Sequence, residues 1–172
     1  MSSKPMPGSA APALSLPLVG GGTYDLSAQS PDAATMVIFY RGYHCPVCAG
    51  YLGQVAEKAS AFAEAGMPIV LVSMDGEERA GKAKAEWALG DLPVAYGLTE
   101  EQAREWGLYI TDSIKDVEIP VFCEPGTFWV KPDGSLYLIE IASMPFARPD
   151  LDILLGRVAA IGNGYPARGT RG

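Results

Sequence analysis

The chain has 172 residues, 48% hydrophobic and 19% charged, with 13 Lys and Arg against 20 Asp and Glu for a formal net charge of −7. That length suits one domain with a substantial core, and the acidic balance argues against nucleic acid or an anionic membrane surface as partner. Three cysteines make no disulfide framework, and the longest strongly apolar run, residues 67–74, falls far short of a membrane span. Residues 1–17 hold several Pro, Ser and Ala and no continuous apolar core, so they do not read as a secretory signal. A cytoplasmic enzyme whose thiols are kept reduced is the simplest setting.

In chain order, residues 1–12 read as a mobile arm, residues 13–161 as a single domain and residues 162–172 as a flexible Gly-rich tail. Leu14–Val19 alternates weakly, and Gly20–Leu26 reads as a turn and return strand, a small N-terminal hairpin. Gln29–Ala33 is a polar loop. Thr35–Tyr40 is the continuous apolar, β-rich run expected of a strand buried on both faces. Pro46 at a first helical position opens a helix to Ala65, with a stripe of Val47, Tyr51, Val55, Ala59 and Phe62 and a stop at Gly66. Pro68–Met74 is the second core strand, which completes a right-handed βαβ unit. Asp75 is placed to cap a helix from Glu77 to about Leu89, anchored by Trp87. Leu92–Tyr96 is a short strand, and Thr99-Glu-Glu-Gln102 is a capping box for a short helix ending at Gly107. Leu108–Pro120 reads as an irregular loop over the active site. Thr127–Val130, the Pro132-Asp-Gly134 turn and Ser135–Ile141 form an antiparallel hairpin. A last helix begins near Pro149, with Leu151, Leu154, Leu155, Val158 and Ile161 as its buried stripe.

The chemistry concentrates at Val37-Ile-Phe-Tyr-Arg-Gly-Tyr-His-Cys45-Pro-Val-Cys48, where the first core strand turns into the long helix. Cys45 falls at the N-cap, where a thiolate would accept the unpaired N–H groups of the first turn at the positive end of the helix dipole. Both effects favour the anion. An unperturbed thiol of pKa about 8.5 is only about 3% ionised at pH 7, whereas Cys-x-x-Cys motifs lower that pKa to between about 3.5 and about 7. Cys48, one turn in, is placed to attack any sulfur adduct on Cys45 and close a disulfide. Zinc would want four ligands, and the chain offers only Cys123 and His44 beyond the pair. Two inert buried thiols are the plainer alternative. The strand, Cys-Pro-x-Cys and helix context favours redox chemistry.

The order of elements resembles the thioredoxin fold. Phe39-Tyr-Arg-Gly-Tyr-His-Cys-Pro-Val-Cys48 is similar to the Phe-Tyr-Arg-Gly-x-Trp-Cys-Pro-x-Cys signature of peroxiredoxin-like proteins of the alkyl hydroperoxide reductase/thiol-specific antioxidant group. The N-terminal hairpin, Pro125-Gly-Thr-Phe128, the Lys-Pro-Asp-Gly134 turn and Ala147-Arg-Pro-Asp150 fit the same group. The resemblance covers roughly residues 14–161. It implies an α/β thioredoxin-like fold with a central mixed β-sheet flanked by helices. It implies Cys45 as the peroxidatic thiol and Cys48 as the resolving one, with no metal or organic cofactor. It also implies Pro125 as a cis proline holding backbone groups open for a sulfur substrate, and Arg148 as a cation for thiolate or peroxide. Tyr43, His44, Pro46 and Arg41 are the remaining candidate support residues. His44, the single histidine, would favour the thiolate, relay a proton, or stand as an exposed bystander. The chain departs from the family pattern at Gly42 and Ile38, where a peroxiredoxin has a threonine or serine and a proline.

These readings lead to a thiol-dependent antioxidant oxidoreductase that reduces peroxides, disulfides or both, is regenerated by an external thioredoxin- or glutathione-type dithiol, and leaves a homodimer open. Without a hydroxyl at position 42, peroxide reduction is expected to be slow for a peroxiredoxin, with comparable or better thiol–disulfide exchange. The alternatives are a thioredoxin-like exchanger without peroxidase activity and, in a different class, a copper(I)-binding module, since soft thiolates suit that ion. Copper-carrying relatives of the fold also use a distant histidine, and none exists here. Cys123 is expected to serve packing, with a Cys45–Cys123 disulfide as its redox alternative.

Overall fold

A computed structural model describes residues 4–172. The centre is a five-stranded mixed sheet of order β5-β4-β3-β8-β9, with β3 at Thr35–Phe39, β4 at Ile69–Val72, β5 at Val94–Ala95, β8 at Gly126–Val130 and β9 at Leu136–Ile141. β3, β4 and β5 are parallel, and β8 and β9 run antiparallel beside β3. The continuous apolar run of β3 has its reason here. Met36, Ile38 and Tyr40 face one core, Val37 and Phe39 the other, and all five are buried. A strand covered on both faces has no solvent side for polar residues to occupy.

One core layer is built on α1, Pro46–Glu64, and α4, Leu151–Leu155. The other holds α3, Glu100–Glu105, and the N-terminal hairpin of β1, Ser15–Pro17, and β2, Thr23–Asp25. Trp106 anchors that second layer against Phe39 and Phe128, at ring separations of 5.2 and 4.8 Å. The buried stripe of α1 is Cys48, Leu52, Val55 and Phe62. It sits slightly round the helix from the sequence expectation, because Cys48 turns inward and Val47 outward, 43% exposed. Capping-box hydrogen bonds between Thr99 and Gln102 open α3 as its sequence predicts.

Several expectations need correction. Asp75 does not cap α2, Glu77–Glu86; Gly76 holds that position, and the Asp75 carboxylate is drawn into the protein by Tyr43 N–H and Arg79. The helix also ends earlier than expected, because the chain reverses at Ala88 with φ 52°. The 108–120 stretch is less irregular than expected, since β6, Ile110–Asp112, pairs antiparallel with β7, Val121–Cys123. The last helix is broken into α4 and α5, Ala159–Gly162, though Leu151, Leu154 and Val158 are buried as expected.

The N-terminal segment lies along the sheet edges. Gly8 N–H donates to Leu136 O at 2.7 Å, Leu136 N–H to Ser9 O at 2.8 Å, and Ala11 N–H to Gly134 O at 2.9 Å. Pro5 is buried, and a side chain at Gly107 would strike its ring, with an added Cβ 3.0 Å from Pro5 Cδ. Residues 17–19 cover the opposite edge, where Val19 N–H donates to Val94 O and Tyr96 N–H to Pro17 O. Residues 1–3 of the expected arm lie outside the described residues. In the expected tail, the Tyr165 carbonyl accepts the Tyr137 hydroxyl at 2.9 Å. No helix among the described residues is long and apolar enough to cross a membrane.

Candidate active site

The loop 40–45 joins β3 to α1, and its shape is set by a buried carboxylate. Asp75 Oδ2 accepts the Tyr43 N–H at 2.7 Å, and Arg79 Nε lies 3.3 Å from Oδ1. Burial pushes the Asp75 carboxyl above its usual range. Gly42 sits against this group with φ 140°. An added Cβ there would lie 2.8 Å from Asp75 Oδ1. The position that carries a hydroxyl in the resembling family is therefore closed to any side chain in this one. The turn closes with Cys45 N–H donating to Gly42 O at 3.1 Å, and α1 begins at Pro46.

Cys45 is the N-cap residue of α1, and its Sγ accepts the Cys48 N–H at 3.2 Å. Arg41 Nη1 stands 4.0 Å from the same sulfur. The Cys48 thiol, donating to Cys45, is the main cause that lowers Cys45 to a pKa of about 6; the Cys48 N–H and Arg41 add to it and burial opposes. Cys48 moves the other way. Its hydrogen bond to Cys45 and its burial push it far above the ordinary thiol value. The two thiols thus move in opposite directions, with the thiolate favoured at Cys45. Both thiols are reduced and almost fully enclosed, Cys45 at 2% exposure and Cys48 at 0%.

The two arginines divide between the two sulfurs. Arg41 lies over the Phe122 ring at 4.8 Å and is paired with Glu124, Nε to Oε2 at 3.1 Å. Glu124 is itself buried at 4% exposure and accepts the Thr111 hydroxyl at 2.7 Å. Arg148 faces the other way, with Nη2 3.2 Å from Cys48 Sγ and its guanidinium 4.9 Å from the centre of the Tyr51 ring.

The remaining candidates are placed as follows. The His44 ring packs on Phe122 at 4.7 Å, with neither nitrogen hydrogen-bonded. Burial, with help from Arg41, lowers its pKa to about 4, so the imidazole is neutral at pH 7 and brings no charge to Cys45. The Tyr43 side chain turns to α2, where its ring stacks on Trp87 and its hydroxyl donates to Glu86 Oε2 at 2.5 Å. Pro46 occupies the first turn of α1. Pro125 is not cis: every peptide bond among the described residues is trans. Nor are backbone groups held open there, since Pro125 O accepts Ala142 N–H at 3.0 Å and Glu124 N–H donates to Tyr109 O at 2.8 Å. Cys123 is fully buried with its thiol 3.7 Å from Tyr40 O, and burial raises it to about 12. Among the described residues no three His, Cys, Asp or Glu side chains gather into a possible metal cluster.

Sequence reasoning missed Glu124, Tyr51 and the structural role of Asp75. Glu124 is a lone carboxylate at a strand end, and only folding brings it Arg41 from the loop after β3 and the Thr111 hydroxyl as partners. Asp75 had a ready local explanation as a helix cap, which concealed its contact with Tyr43, 32 residues away.

Among solved structures, the chain is similar to peroxidoxin BcpB from Mycobacterium tuberculosis, with 21% identity over 91% of this chain and 98% of that one, at a TM-score of 0.74. It is similar to a peroxiredoxin-like protein from Aquifex aeolicus, with 14% identity over 92% and 89% of the two chains and a TM-score of 0.76. A third is the reduced 2-Cys peroxiredoxin of Plasmodium vivax, with 15% identity over 92% and 82% and a TM-score of 0.74. At these identities the likeness is one of fold. No curated protein gives a significant match. The AhpC/TSA family profile matches residues 7–139, the greater part of the sequence and all of the cysteine loop. The chain therefore belongs to the AhpC/TSA family of thiol-based oxidoreductases.

Proposed function

We propose that this enzyme reduces small hydroperoxides through the Cys45–Cys48 pair and draws its electrons from an external dithiol of the thioredoxin or glutathione type, in a reducing, cytoplasmic setting. The observation that carries the reading is Cys45 itself, a sulfur that favours the thiolate at neutral pH and is only 2% exposed. Such a group is reactive toward an oxidant small enough to enter and is shielded from a bulky one. The thiolate attacks the terminal oxygen of ROOH, an S–O bond forms as the O–O bond breaks, and RO⁻ leaves to take up a proton. Cys45 becomes a sulfenic acid. Cys48 then attacks Cys45, expels hydroxide and closes the disulfide, which the external dithiol reduces by exchange.

Two findings move the balance away from protein disulfides as oxidant. Beside Pro125 the Glu124 N–H and the Pro125 carbonyl are already paired within the protein, so neither is free for an extended peptide, and both sulfurs are enclosed. Regeneration by a dithiol meets the same enclosure and is the slower half-reaction. The leaving oxygen has no hydroxyl at position 42 to meet it, and Arg41 is the cation nearest Cys45.

The test is a stopped-flow series on reduced protein with hydrogen peroxide, an alkyl hydroperoxide and a small disulfide. Peroxide reduction should be measurable, faster than disulfide exchange, and slow for a peroxiredoxin. Near-diffusional peroxide rates would show that the closed position 42 carries no kinetic cost. Faster reaction with the disulfide favours the exchange reading, and no reaction with any of the three, with Cys45 verified as reduced, refutes the redox reading.

A further inference from the structure

We propose that Arg148 is a catalytic residue of the second step, stabilising the Cys48 thiolate that closes the disulfide, while Arg41 serves the first step at Cys45. The proposal rests on the assignment of Cys45 as attacking and Cys48 as resolving thiol. Arg148 Nη2 is 3.2 Å from Cys48 Sγ, and this is the one hydrogen bond its side chain makes among the described residues. Among the described residues its Nε and Nη1 are buried without partners and no carboxylate pairs with it. Contrast Arg41, which is neutralised by Glu124, or Arg79, which is spent on Asp75. A half-buried guanidinium without a counter-ion is costly unless an anion forms beside it. The nearest group able to become that anion is Cys48.

The arginine is held in place for this. The Tyr51 ring stacks beneath the guanidinium, and the Tyr51 hydroxyl donates to the carbonyl of Pro149, the next residue, at 2.8 Å. Asp150 then caps α4 through Ile153 N–H at 3.0 Å. The loop carrying Arg148 is thus tied on its C-terminal side to the same helix that carries Cys48.

The pairing also orders the two steps. In the reduced protein Cys48 keeps its proton because it donates to the Cys45 thiolate, because it is buried, and because it sits beside that negative charge. When Cys45 becomes a neutral sulfenic acid, the first and last of these restraints vanish and burial remains. What remains favourable to an anion at Cys48 is Arg148 and a backbone hydrogen bond from Arg41. The groups facing Cys48 are then Cys45 at the helix mouth, Arg41 and Tyr40 from the end of β3, and Arg148 from the loop before α4. Tyr40 adds no charge, because burial raises its phenol well above the ordinary value. Closure reads Cys45–SOH plus Cys48–S⁻ giving Cys45–S–S–Cys48 plus hydroxide. The hydroxide takes the proton that left Cys48 and becomes water. The resolving thiol is therefore armed by the oxidation of its neighbour, and not before.

The experiment separates the two steps in full-length protein by rapid quench after peroxide mixing. Trapping with dimedone reports the sulfenic acid, and mass spectrometry reports the Cys45–Cys48 disulfide, each followed across pH 5 to 9. In the unmodified protein, closure should show a pH midpoint below the ordinary thiol value of about 8.5 in spite of burial; a midpoint at or above it overturns the proposal without need of any variant. Arg148→Gln should alter the loss of the Cys45 thiol by less than about threefold and slow closure by about tenfold or more, which is about 1.4 kcal/mol of barrier. Its closure midpoint should rise by about one unit or more, and sulfinic acid should accumulate at high peroxide. Arg148→Lys should restore part of the rate because it keeps the charge. Arg41→Gln should show the opposite pattern, a slowed first step. A merely structural Arg148 would depress both steps together and leave the closure midpoint in place, and that result overturns the proposal. So does closure in Arg148→Gln at the unmodified rate. If instead no Cys45–Cys48 disulfide forms in the unmodified protein, the functional assignment itself fails, which is a distinguishable outcome.

Discussion

At the scale of single residues, the site is two sulfurs shifted in opposite directions, with the thiolate favoured at Cys45. The largest influence holding Cys45 near a pKa of about 6 is the hydrogen bond from the Cys48 thiol. Cys48→Ala removes that donor and leaves the N–H of residue 48 and Arg41 to favour the thiolate. The folded-state pKa of Cys45 should then rise toward the ordinary thiol value, so less thiolate exists at pH 6. Iodoacetamide alkylation of Cys45, followed against pH, should show a midpoint near 6 in the native protein and a distinctly higher one in the variant. An unchanged midpoint would assign the depression to the helix end and Arg41. In the native protein Cys45 should also alkylate at pH 6 much faster than Cys48 or Cys123, whose thiol burial raises to about 12; equal rates at all three would remove the basis of the mechanism. Gly42 supplies the complementary case. Gly42→Ser would bring the family's hydroxyl to its usual place, yet its Cβ would lie 2.8 Å from a buried carboxylate on backbone with φ 140°. Strain of that kind costs about 1–3 kcal/mol before the clash is counted, so a loss of about 2–4 kcal/mol in urea unfolding and no gain in peroxide rate are expected. A variant as stable as the native protein, or faster with peroxide, would contradict this account of the loop.

At the scale of elements, α1 does two jobs with one set of side chains. Its inward stripe builds a core layer, and its first turn presents Cys45 at its end and Cys48 within it. Tyr51 and Lys58 on a neighbouring face fasten it to the C-terminal segment, Tyr51 through Pro149 O and Lys58 through Asp152 at 2.6 Å. These two ties differ in kind. The tyrosine bond is part-buried, and Tyr51→Phe should cost about 1 kcal/mol. The lysine pair is exposed and screened by solvent, and Asp152→Ala should cost less than Tyr51→Phe. Urea denaturation of the two variants side by side checks the ranking; the reverse order would mean that the loop bearing Arg148 is not held by Tyr51.

At the scale of the whole molecule, the five-stranded sheet has two edges, and the first twenty residues meet both. Residues 8–11 pair with the start of β9, and residues 17–19 pair with β5. Unpaired strand edges template association with other chains, so this segment has a protective role as well as a stabilising one. Removal of residues 1–11 takes away three backbone hydrogen bonds to 134–136 and the burial of Pro5. A loss of about 2–3 kcal/mol is expected at about 1 kcal/mol per bond, together with a larger apparent mass by light scattering. Gly107→Ala, which crowds Pro5, should reproduce part of the loss. Unfolding and light scattering that match the full chain would show that the segment contributes nothing to the edge.

What could be read from the linear chain was whatever depends on neighbours close in sequence. The double-faced β3 follows from an unbroken apolar run, the start of α1 from Pro46, the Thr99–Gln102 capping box from spacing, and the N-cap place of Cys45 from its position one residue before a helix. Each is a local rule, satisfied within a few residues. The family signature around Cys45 and Cys48 added the fold. The rest depended on groups brought together from distant positions. Asp75 closes position 42 from more than thirty residues away. Glu124 neutralises Arg41 across two strands, and the loop before α4 hands its arginine to Cys48, a hundred residues earlier in the chain. Pro125 read as a cis proline from its motif, while the pairing of its carbonyl with Ala142 belongs to the meeting of β8 and β9. Burial is the common cause. A charge in water is largely screened from its neighbours, and a charge inside a folded chain depends strongly on what surrounds it, so its role is settled only once folding has chosen which distant group stands beside it.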